Sequence, residues 1–237
     1  MDLGLQQLGQ SLLVYNSQLA LVSNNLANTV TDRYKRDSLT VQSFSDYYIQ
    51  EEYKSEKKYQ YSINTYTDFS QGEIYKTKEN DFAIDGRGFI RVEHNGIMSY
   101  SRGGSYQVDQ LGYLRDQHGG FIQGRNGNIF LGDDGFILRE DGSLVQNNIV
   151  VDQILLYDFF DYNDLSKSVL DYYVSEQDPI VANDSLIRAG HSEKSNVNMS
   201  EEYLKMMDIS RKFETSQTVI QIMDEMKGKT INGIAVF

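Results

Sequence analysis

Apolar residues at Leu5, Leu8, Leu12, Tyr15, Leu19, Val22 and Leu26 recur at alternating intervals of three and four. That spacing predicts a helix over residues 3–28 carrying one continuous apolar stripe. Gln6, Gln7, Gln10, Asn16, Gln18 and Asn24 lie between the stripe positions, so the opposite face is polar and nearly uncharged. A period of 3.5 residues favours a left-handed supercoil with a partner. The rhythm stops in the segment SNNLANTVTDRYKRD, residues 23–37. Asn24, Asn25 and Asn28 are poor helix-interior residues, and asparagine tolerates the left-handed conformation found at helix ends. Thr29, Val30 and Thr31 then favour extended chain. Arg33, Lys35 and Arg36 follow, where cations suit the negative end of the helix dipole.

The other end of the chain has the same kind of pattern. Met199, Glu202, Met206, Ile209, Phe213, Ser216, Ile220 and Met223 fall on one register of threes and fours. Asn198 or Ser200 supplies a helix start, with Glu201 and Glu202 in the first turn. Lys227 and Gly228 supply a stop. The Met-rich stripe suits a surface that adjusts to several neighbours. One reading is two amphipathic helices packed on an ordinary core. The other is an assembly domain built from both chain ends, favoured because everything between them reads as strand or loop.

That middle carries five turn dipeptides: Asp85-Gly86, Asn95-Gly96, Asn126-Gly127, Asp134-Gly135 and Asp141-Gly142. Between them GFIRVEH and SYQVDQ show partial alternation, which places Ile90 and Val92 opposite Phe89, Arg91 and Glu93. The run IVVDQILLYDFF, 149–160, reads as a buried strand. Residues 44–79 are rich in Tyr, Ser, Glu and Lys and poor in aliphatic side chains. They read either as an extended hairpin that needs something to pack on or as a linker.

Composition narrows the chemistry. Net charge is −12, which argues against a nucleic-acid surface, and mean hydropathy is −0.49. Cysteine is absent, so disulfides, thiolate metal sites and cysteine nucleophiles are excluded. No apolar run reaches the length of a membrane span. The N-terminus lacks the basic and continuous apolar regions of a secretory signal peptide. His94, His118 and His191 sit among turn residues with no second histidine at ligand spacing, and read as exposed loop histidines. Gly86 and Gly88 lack the third glycine and following helix of a dinucleotide loop. GDDGFILREDG lacks the alternating ligands of a calcium loop. No catalytic residue, metal ligand or cofactor is therefore expected.

Three segments resemble the bacterial flagellar axial proteins, the rod and hook family. Asn25, Leu26, Ala27 and Asn28, followed by Tyr34, Lys35 and Arg36, match its N-terminal signature, with Arg33 where the family usually has glycine. DFAIDGRGFIRVEHNGIMSYSRGGSYQVDQLGYL, 81–114, is similar to its central motif. Ser195, Asn196, Val197 and Asn198, then Arg211, Phe213 and Glu214, resemble its C-terminal motif.

The resemblance implies an α+β protein. Its N- and C-terminal helices would pair as a coiled-coil-like assembly domain, with a central antiparallel all-β domain. The expected divisions are 1–36 with 194–237 as the assembly domain, 37–79 as connector and 80–193 as β-domain. The N-terminal stripe, together with Met206, Ile209, Phe213, Ile220 and Met223, is the expected assembly interface. The implied function is a rod subunit, proximal or distal, that self-assembles into a hollow tube, transmits torque and passes exported subunits. Implied partners are further copies of the chain, other rod and hook proteins and the flagellar type III export apparatus, with no nucleic acid and no membrane insertion. The implied location is the basal body, reached without a cleaved signal peptide. A hook protein, a β-rich cell-wall glycan-binding module or enzyme, and a stand-alone coiled-coil oligomer are the alternatives.

Overall fold

The computed structural model describes residues 2–47, 57–132, 135–182 and 184–234. The chain divides into two units. One comprises Met1–Thr29, Asp37–Asp68 and Val197–Phe237; the other comprises Val30–Arg36 and Phe69–Asn196.

The first unit holds helix α1 (Asp2–Ala27), strands β1 (Asp37–Tyr47) and β2 (Lys57–Thr67), and helix α2 (Met199–Ile234). β1 and β2 form an antiparallel ribbon, in register from Asp37 opposite Thr67 to Tyr47 opposite Lys57. The Thr67 hydroxyl donates to the Asp37 carboxylate at 2.7 Å and fastens the open end of that ribbon. At the start of α2, Asn198 Oδ1 accepts from the backbone N–H groups of Ser200 (3.1 Å) and Glu201 (3.4 Å), so Asn198 is the cap. The expected stop at Lys227 and Gly228 is not one: α2 continues to Ile234. Gly228 does not take up a left-handed φ, and nothing lies within 4 Å of where its Cβ would be. It is a helix-interior glycine, about 1 kcal/mol less favourable than alanine.

The expected coiled-coil-like pairing needs correction. α1 and α2 do lie antiparallel: Asn25 meets Glu202 near one end, and Met223 approaches Gly4 near the other. Yet no sealed seam follows the stripe. Of its seven positions only Val22 is buried, and the others are half-covered. Among described side chains of α1, Val14, Val22 and Asn25 are the buried ones, so burial is not confined to the stripe. Among the described residues, none of either helix belongs to the two hydrophobic core clusters. The ribbon also belongs to this unit, so the two helices are not a two-body coil.

The second unit is antiparallel throughout its strand pairs. Its largest sheet runs from Ser166–Lys167 through Tyr173–Val174, Ile97–Ser101, Phe89–His94, Phe121–Gly124, Leu114–Asp116, Gly103–Val108 and Asp81–Asp85 to Leu186–Ala189. Asn95 (φ 53°) and Gly96 (φ 79°) make the two-residue turn between the paired residues His94 and Ile97. Asn147 (φ 48°) and Asn148 (φ 64°) make an equivalent turn between Gln146 and Ile149, which the dipeptide search passed over. Asp134, from the fourth turn pair, lies outside the described residues.

Alternation in Phe89–His94 feeds two cores. Ile90 and Val92 join Phe82, Ile84, Leu114, Ile122 and Ile187 on one side. Phe89 joins Tyr100, Tyr157, Phe159 and Tyr173 on the other, where aromatic rings meet edge to face. The run 149–160 is two strands, Ile149–Gln153 and Leu156–Asp158. Only the second is buried as expected. Ile149, Val150 and Val151 are exposed because their strand is the last in a three-stranded sheet whose core-facing side chains are Leu138 and Leu144.

Candidate functional site: the terminal helices and a buried ion cluster

Along α2 the partly covered positions include Met206, Ile209, Phe213, Ser216, Ile220, Met223 and Lys227, with Lys205 and Ser210 besides, and among described side chains Glu202 alone is fully buried. Arg211 and Glu214 are exposed on other faces. Large apolar side chains also face water: Leu13 on α1 is 67% exposed and Leu204 on α2 is 66% exposed, and Met207, Val219 and Ile222 further along α2 are partly exposed. A monomer leaves part of the burial these side chains offer unused. Each covered fully by a neighbour would contribute about 1.5–3 kcal/mol.

One polar point is sealed inside this unit. Asn25 Nδ2 donates to the Asp37 carbonyl at 2.8 Å and to Glu202 Oε2 at 3.2 Å, while its Oδ1 accepts from Asp37 N–H at 3.1 Å. Lys205 Nζ lies 2.8 Å from the other Glu202 oxygen. Asn25 therefore ties α1 to β1 and to α2 at once. Ala27 is exposed, and Asn28 bonds back to the Asn24 carbonyl at 2.9 Å as the helix ends.

The remaining motif residues gather in the β-unit. Arg33 adopts a left-handed φ of 64° at the position where the resemblance leads one to expect glycine, and its N–H donates to the Glu193 carbonyl at 2.7 Å. Tyr34 is buried beneath Lys167 Nζ, 4.0 Å from the ring centroid. Lys35 is wholly buried; its Nζ donates to Glu193 Oε1 at 2.6 Å and to the Ser70 carbonyl at 2.8 Å. Gly72 N–H reaches the same Glu193 oxygen at 2.8 Å. A Cβ on Gly72 would sit 2.1 Å from the Lys194 carbonyl oxygen, so only glycine permits this approach. Arg102 meets Glu193 Oε2 at 3.4 Å and donates to the carbonyls of Gly88 (2.6 Å) and Gly86 (3.0 Å). Asn196 accepts from Arg36 N–H at 2.7 Å and donates to Ser70. Ser195 is half-buried. Val197, the next motif residue, is buried in the helical unit.

Glu193, Arg102 and Ser70 were not among the expected site residues. Arg102 lies inside the quoted central motif and Glu193 two residues before Ser195, but what makes them notable is burial, which only the fold reveals.

The titratable groups are engaged structurally. The Asp116 carboxylate accepts from the N–H groups of His118 (3.0 Å) and Gly120 (2.8 Å) and from the Tyr172 hydroxyl. Burial first, then that bond, pushes the Tyr172 phenol above its ordinary value. His94 and His118 correct the exposed-loop expectation: both are half-buried and flank the Tyr172 ring, each with centroids 5.8 Å away. Among the described residues no group of three or more His, Asp or Glu side chains is placed to hold a metal ion, and no helix is long and apolar enough to cross a membrane.

Residues 188–233 match the family described as flagellar basal body rod FlgEFG protein C-terminal. The chain is 28% identical over 237 residues to the flagellar basal-body rod protein FlgG of Buchnera aphidicola subsp. Baizongia pistaciae, covering 88% of this chain and 91% of the relative. It is 29% identical over 240 residues to FlgG of Buchnera aphidicola subsp. Acyrthosiphon pisum, with 88% and 91% covered. Similarity to the flagellar basal-body rod protein FlgF of Caulobacter vibrioides is 28% over 228 residues, with 87% and 86% covered. Over most of its length the chain is thus similar to flagellar basal-body rod proteins, and these similarities support that family for it.

Proposed function

We propose that this protein is a structural subunit of the flagellar basal-body rod. Its copies, with other rod and hook components, stack into a hollow helical tube that carries torque and lets exported subunits pass. The observation that carries this reading is the incomplete covering of α1 and α2. A 36-residue helix that fully buries one described side chain, a carboxylate, is a poor end state for a lone chain. Repeated heterologous contacts between copies would bury Leu13, Leu204, Met207, Val219, Ile222 and the half-covered stripes without closing a ring. The names of the relatives support a rod subunit over a hook protein. The interface residues are those of the N-terminal stripe with Met206, Ile209, Phe213, Ile220 and Met223. The chain would reach the basal body through the flagellar type III apparatus, without a cleaved signal peptide.

The test is electron microscopy of concentrated protein, full-length and lacking residues 1–29. That cut spares residues 30–36, which belong to the β-unit. Tubes or fibres from the full chain and none from the truncated chain are expected. A full-length protein that stays monodisperse and monomeric at high concentration would refute the reading.

A further inference from the structure

Lys35, Glu193 and Arg102 come from the first segment of the β-unit, from its closing strand (His191–Glu193) and from the turn between Ile97–Ser101 and Gly103–Val108. Lys35 and Glu193 are 0% exposed and Arg102 is 4% exposed. The cluster holds two cations and one carboxylate; the Ser70 carbonyl accepts from Lys35 and the Gly86 and Gly88 carbonyls accept from the two terminal nitrogens of Arg102, while Arg102 Nε is buried without a partner. Without Glu193 the same fold would seal two cations away from water with no anion between them, a strongly unfavourable state. We propose that these three residues are a charge interlock. It makes folding of the β-unit contingent on both its first segment and its last strand, 158 residues apart. Until Glu193 is in place, closing the unit over Lys35 and Arg102 is opposed by their desolvation.

The backbone reinforces this dependence. Arg33 N–H bonds the Glu193 carbonyl, Asn196 N–H bonds the Tyr34 carbonyl, and Lys194 N–H bonds the Glu73 carbonyl. The first segment and the closing strand thus form one packed layer around the carboxylate. For a chain delivered through a narrow channel, the interlock would hold the β-unit open until nearly the whole chain has emerged. That use rests on the proposed rod function; the interlock itself does not.

The test is urea unfolding of the full chain, followed by near-UV circular dichroism of its tyrosines, in wild type, Lys35→Met, Glu193→Gln and the double variant. Glu193→Gln keeps the shape and removes the anion, and is expected to lower the folding constant by at least about 100-fold. Lys35→Met should destabilise the wild type but stabilise the Glu193→Gln background, since it removes one of two uncompensated cations. This reversal of sign is the signature of charge compensation: contacting residues that only pack can couple, but Lys35→Met would then remain destabilising in both backgrounds. If Glu193→Gln fails to fold, recovery of the tyrosine signal in the double variant carries the same information. Additive losses, or a double variant no better folded than Glu193→Gln, would overturn the interlock. The measurement is made on monomer, so absence of tubes bears on the rod reading and leaves this result intact.

Discussion

In the β-unit, Phe82, Ile84, Phe89, Ile90, Val92, Leu114 and Ile122 are sealed from water, and its buried Glu193 is paired with Lys35 and Arg102. Along α2 the sealed side chain is Glu202, while Leu204 and Met207 a few residues on face solvent. The two units differ in where their burial comes from. The β-unit finds it within one chain, through strands far apart in sequence. The helical unit shows half-covered stripes that one chain leaves unfinished. A unit of the first kind is expected to be stable alone, and under the proposed rod function one of the second kind would gain its remaining burial from neighbours.

Substitutions can break this contrast. The largest loss is expected inside the β-unit: Ile90→Ala should cost about 2–5 kcal/mol, read by urea unfolding with the tyrosine near-UV signal. A cost below about 1 kcal/mol would show that this core is not the tight one described. Asn25→Ala comes next, at about 1–3 kcal/mol. It leaves Glu202 without its Asn25 partner and strips two bonds from the Asp37 backbone, and should lower the helical transition at 222 nm while sparing the tyrosine signal. Asn198→Ala removes the α2 cap, with an expected cost of about 1 kcal/mol in the same helical transition. Smallest in the monomer is Leu204→Ala, within about 0.5 kcal/mol because the side chain is already exposed. In concentrated protein the same change should raise the concentration needed for polymers about tenfold or more. Equal effects in both conditions would show that no neighbour covers Leu204.

Alkaline pH sharpens the comparison from the side of the β-unit. Burial pushes the phenols of Tyr106 and Tyr172 above the ordinary tyrosine value of 10.0, aided at Tyr172 by the bond to Asp116. The folded unit therefore holds protons that the unfolded chain releases. Stability from these groups is complete below about pH 10 and falls as pH rises beyond it. Phenolate absorbance should show exposed tyrosines ionising first, and a later step coinciding with loss of the near-UV signal. A single early step for all tyrosines would contradict the buried positions assigned to Tyr106 and Tyr172.

The sequence announces these regions unequally. Spacing alone outlines both helices, because a stripe repeats locally whatever lies against it. It does not show that α1 turns Val14 and Asn25 inward, since that depends on the ribbon and α2 packed around it. Asn95-Gly96 is legible as a turn, while Asn147-Asn148 works through the same left-handed tolerance without the glycine that draws attention to it. Ile149, Val150 and Val151 look like a core strand, but apolar character does not reveal that a strand lies last in its sheet. The ion cluster is the least legible feature. Lys35 reads as a cation at a helix end and Glu193 draws no attention in the sequence, until the topology brings them within 2.6 Å.

The most direct test of this contrast is amide hydrogen exchange on dilute monomer and on polymer of the same full-length chain. The account predicts strong protection of the β-unit strands in both states. Protection of α1 and α2 should be weak in the monomer and rise sharply in the polymer. Helices protected as strongly as the β-unit in dilute monomer, with no gain on assembly, would contradict it.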